Sequence, residues 1–65
     1  MTDLILKKLR MEHAALEYRA EHLRTQQRAA IATSPRAAAL GRQIRETQAH
    51  ADSYAALIEK AEEMR

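Results

Sequence analysis

The sequence has no cysteine, tryptophan, phenylalanine or valine, and a single glycine and a single proline. Each absence excludes something. Without cysteine there is no disulfide framework and no thiolate chemistry, which fits a reducing compartment. The dearth of β-branched and aromatic residues argues against a sheet. With one glycine and one proline the chain has few places to turn. No apolar run approaches the roughly 18 residues of a membrane span. The N-terminal MTDLILKKLRMEHAAL lacks the long apolar core of a signal peptide and carries its charges in the wrong order. A soluble, cytoplasmic chain is the expectation.

What remains is a helix composition. Ala, Leu, Glu, Arg and Gln dominate the 65 residues, which are enough for one small domain at most. Alanine supplies much of the apolar content, so any core is thin. The net charge is only +2, but it is unevenly spread. Between Glu21 and Glu46 there is no acidic residue, and that interval holds Arg24, Arg28, Arg36, Arg42 and Arg45.

Two heptad seams take up eight of the sixteen larger apolar residues (Leu, Ile, Met and Tyr). In the first half Leu6, His13, Ala20 and Gln27 take position a, and Leu9, Leu16, Leu23 and Ala30 take position d. In the second half Ala37, Ile44, Ala51 and Ile58 take a, and Leu40, Thr47, Tyr54 and Ala61 take d. The two registers are offset by three residues, a stammer. The offset falls on Thr33-Ser34-Pro35, where Ser34 is a natural N-cap and Pro35 a natural first helical residue. A cap, a proline and a phase shift together indicate a corner, not a kink in one rod. The expected fold is therefore all-α: an antiparallel two-helix coiled-coil hairpin, with helices over about 3–32 and 35–63. Residues whose numbers sum to 67 should share layers. Leu16 then faces Ala51, and His13 faces Tyr54, where ring and hydroxyl could meet. The absence of a glycine at the end of the first helix leaves the turn geometry open.

A second stripe lies outside the seam. Leu4, Met11 and Tyr18 all fall at position f, away from the expected partner helix, and Ala14, Ala15 and Ala29 widen the stripe. Ile5 on the first helix and Leu57 and Met64 on the second fall at g, near the open end. Isolated surface apolar residues are normal. A stripe at helical spacing on a hairpin with so thin a core instead points to a contact surface. Leu4, Ile5, Met11, Ala15, Tyr18 and Leu57 are the candidate contact residues. The occupant would be a second copy, completing a four-helix bundle, or a helix of another protein.

Catalytic and metal chemistry find little support. The histidines at 13, 22 and 50 match no zinc spacing. A slim rod offers no concave site for convergent groups. No enzyme activity, metal or cofactor is expected. The five arginines would gather at the closed tip, where they could meet an anionic partner such as RNA, DNA or an acidic protein face. Both tyrosines lie away from that tip, so base stacking is unsupported.

In size and heptad layout the chain resembles the plasmid RNA-binding Rop protein. That likeness implies a homodimeric four-helix bundle, although here the basic residues collect at the tip and not on a bundle face. The segments MTDLILKKLRMEHAALEYRAEHLR and TQAHADSYAALIEKAEE resemble the small helical-hairpin co-chaperones of bacterial type III secretion needle subunits. That resemblance implies a chaperone or adaptor that joins a larger chaperone to keep a needle subunit unpolymerised.

Overall fold

The computed structural model describes residues 2–64, leaving Met1 and Arg65 outside the described residues. Two helices, α1 (Thr2–Ala29) and α2 (Pro35–Glu63), form the whole architecture. They pack antiparallel along their length as a hairpin.

All sixteen seam positions are buried or half-buried. Leu6, Ala20, Leu23, Ala37, Leu40, Ala51 and Ala61 form the apolar core, with Thr47 the buried polar residue. The 3–4 alternation works because it keeps one narrow stripe of each helix turned toward the other. Ala20 and Ala51 are wholly buried, so the helices approach closely at these positions.

Two polar contacts across the hairpin show the register. The Arg10 guanidinium donates to Glu62 Oε1 at 2.8 Å near the open end. The Arg24 guanidinium donates to Gln48 Oε1 at 2.6 Å, two heptads further along both helices. All four residues occupy position e, and the two pairs share one registration. In an antiparallel coil whose layers join a with d, e faces e, so these pairs agree with the layering that the heptads predict. Long side chains on a helix lean toward its own N-terminus. Partners on antiparallel helices therefore reach one another from positions displaced toward the two C-termini.

The corner differs from expectation in one respect. The first helix stops at Ala29, not near residue 32. Its end tightens through a bond from the Ala30 amide to the Gln27 carbonyl at 3.1 Å, and the chain reverses in a turn closed by the Ser34 amide on the Ile31 carbonyl at 2.9 Å. No described residue has a positive φ, so the reversal uses neither a glycine nor a left-handed cap. The Ser34 hydroxyl serves both sides of the corner. It accepts from the Ala37 amide at 3.1 Å, capping α2, and donates to the Ile31 carbonyl at 2.6 Å. Pro35 follows as the first residue of α2, where its missing N–H costs nothing.

Seam position Gln27 is half-buried and its amide donates to the Ala37 carbonyl at 3.3 Å. Gly41 lies beside the Gln27 amide. A Cβ placed there would lie 3.0 Å from Gln27 Nε2. The one glycine thus makes room in α2 for a polar side chain from α1, and the seam tolerates Gln27 because its amide has a partner.

Candidate partner-binding surface

The hairpin is 47 Å long and 13 by 11 Å in section, with a radius of gyration of 14.9 Å. A compact domain of this length would have a radius near 11 Å. The surface presented to solvent is 5169 Å², against about 4200 Å² for a compact monomer of this mass. Large apolar side chains contribute to that exposed surface.

Leu4, Met11 and Tyr18 are each well over half exposed, and Ala14 and Ala15 between them are exposed as well. They lie one heptad apart on the outer side of α1. The 1.5 Å rise of a helix makes this a band roughly 20 Å long. Leu4 and Met11 line a shallow groove whose remaining walls are Lys7 and Lys8. Ile5 sits on the adjoining flank, in a second groove with Lys8, Leu9, Glu12 and Tyr54. Lys8 borders both, so the outer band and the flank are continuous toward the open end. Leu57 and Met64 add exposed apolar surface on α2. Of the six candidate contact residues, Leu4, Met11, Ala15 and Tyr18 share the outer face of α1. Ile5 belongs to the flank, and Leu57 lies on the other helix.

The charges around this band are sparsely paired. Among the described residues, Lys7, Lys8, Glu12 and Arg19 form no ion pair; the ion pairs present are Arg10–Glu62, His13–Glu17, and the contacts of Arg24 and Arg28 with Glu21. The last two are long, at 3.6 and 3.5 Å.

At the closed end the five arginines divide. Arg24 is held by Gln48, which in turn donates to Asp52 at 3.2 Å, and Arg28 also touches the Thr25 hydroxyl. Arg28 and Arg45 line one open groove, floored by Gln27, Ala37 and Gly41. Arg36 lines a different one, with Gln26 and Ile31. Among the described residues Arg36, Arg42 and Arg45 face no carboxylate within ion-pair distance. The two grooves adjoin, sharing Ala30 and Ser34 as lining residues.

Ile31 is a surface residue that the heptad pattern does not single out. It projects from the turn, 76% exposed. Its one signal in the sequence is a large aliphatic side chain between the two seams, in a segment otherwise composed of small and polar residues.

No group of three or more metal-ligating side chains occurs among the described residues, and no described helix is long and apolar enough to cross a membrane. The fold defines the chain as a small antiparallel two-helix hairpin. No family model, curated protein or solved structure matches it.

Proposed function

We propose that the protein is a non-enzymatic interaction module that presents the outer face of α1 to a helix of another polypeptide. The observation that carries this reading is the exposed Leu4–Met11–Tyr18 band at heptad spacing. Helices recognise helices through such bands, with anchors one or two turns apart. The thinness of the internal seam adds support, because a partner would bury the apolar area that the hairpin leaves in water. A small chaperone or adaptor of a bacterial type III secretion apparatus is one specific form of this role, in which the covering helix belongs to a different protein.

Met11→Glu and Tyr18→Glu test the reading. Both side chains are exposed, so helicity by far-UV circular dichroism should be unchanged while association is lost. Normal association by Met11→Glu would remove the outer band from consideration.

The alternative is an anionic partner, RNA among them, at the arginine-bearing end, favoured by the unpaired Arg36, Arg42 and Arg45. Phosphate contacts weaken steeply with salt, whereas apolar contacts do not. Replacing Arg28, Arg42 and Arg45 by Gln should abolish an anion-dependent association and leave a band-dependent one intact.

A further inference from the structure

We infer that the chain covering the outer band of α1 is a second copy of this protein, the two α1 helices running antiparallel about a two-fold axis beside Ala14. The inference rests on the band being a partner surface and adds the partner's identity and register. Both come from the charges that the hairpin leaves unpaired.

The outer face of α1 carries its own 3–4 alternation: Leu4, Lys8, Met11, Ala15, Tyr18, His22 and Thr25. It is a second seam on the same helix, read at positions f and c, and it is flanked by Lys7, Ala14 and Glu21 on one side and by Glu12, Arg19 and Gln26 on the other. Self-pairing of such a seam allows only registers that differ by whole heptads. In one of them Met11 packs on Ala15 of the second copy, large against small, and Lys8 lies over Tyr18 of the second copy. Lys7 then faces Glu21 of the second copy. The displacement that joins Arg10 to Glu62 within the hairpin brings Glu12 to Arg19 of the second copy. Each contact occurs twice by symmetry, and the two copies of Ala14 meet near the axis.

The neighbouring registers fail on charge. A slip of one heptad in one direction sets Glu12 against Glu12. A slip the other way sets Arg19 against Arg19 and Lys7 against Arg28. Like charges directly opposed across a helix interface select against a register. One arrangement satisfies both flanks, and Lys7, Glu12 and Arg19, which it uses, have no ion-pair partner among the described residues of the hairpin. Glu21 holds only its two long contacts there. The result is a flat array of four helices in the order α2–α1–α1–α2, with the two α1 helices at its centre.

The test is a charge swap read by sedimentation equilibrium. Glu12→Arg and Arg19→Glu should each weaken the homodimer by about tenfold, since each turns two attractive pairs into two repulsive ones. The double variant should restore it. The native chain lacks cysteine, so Ala14→Cys gives a single reactive site. A short bismaleimide should join two Ala14→Cys chains efficiently and two Ala56→Cys chains, on the outer face of α2, poorly. A dimer in which the double swap fails to rescue, or in which Ala14→Cys does not crosslink, overturns the register. A monomer at several hundred micromolar overturns self-pairing altogether. The broader reading fails separately, if Met11→Glu leaves all association, to itself or to another protein, untouched.

Discussion

Single side chains at the corner hold together more than their size implies. Ser34 caps α2 and closes the preceding turn with one hydroxyl. Ser34→Ala removes both bonds and should cost about 1–2 kcal/mol, measured by urea denaturation. Ser34→Thr keeps the hydroxyl and should cost less. Gly41 and Gln27 form the other coupled pair. Gly41→Ala gains about 1 kcal/mol of helix propensity, but its Cβ would crowd the Gln27 amide at 3.0 Å and loosen the bond to Ala37. In the native background the two effects should nearly cancel. In a Gln27→Ala background the propensity gain should appear in full, and a double-mutant cycle would read the difference. An equal gain in both backgrounds would mean that Gly41 is not there for Gln27.

For the helices, the deciding quantity is how closely α1 and α2 approach. Ala20 and Ala51 have no exposed surface, and each should lie in a layer with a residue of the other helix. Ala51→Leu should therefore destabilise the hairpin by about 1–3 kcal/mol through overpacking. Ala56→Leu, on the exposed side of the same helix, should change stability by less than about 0.5 kcal/mol. Thermal melts of the two variants at one concentration make the comparison. The heptad pattern by itself tells these positions apart, because 3.6-residue periodicity assigns each residue to a face. The pattern does not fix the end of α1. Ala30, Ile31 and Ala32 carry no helix-stopping signal, and the helix gives way at Ala29 so that the Ile31–Ser34 turn can form.

The molecule as a whole is a rod only two helices thick, so its stability and its association are linked. Partner binding that buries the outer band favours the folded state by mass action. The melting temperature should accordingly rise with protein concentration, by several degrees between about 5 and 500 micromolar for a domain this small. Met11→Glu should make it independent of concentration. Equal concentration dependence in the two would mean that association uses another surface, such as the flank around Ile5 or the tip around Ile31.

The sequence alone determined the helices, the seam residues, the corner at Ser34-Pro35 and the outer stripe. All of these follow from local propensity and from periodicity, which are properties of neighbours in the chain. Only the tertiary structure decided how α1 ends, which polar groups meet across the hairpin, and how the arginines divide. Arg24 engages Gln48, while Arg28 and Arg45 line one groove and Arg36 the groove adjoining it. Those outcomes depend on the rotation and separation of two helices distant in sequence. The same is true of Gly41, whose place opposite Gln27 exists only once the chain has folded back on itself.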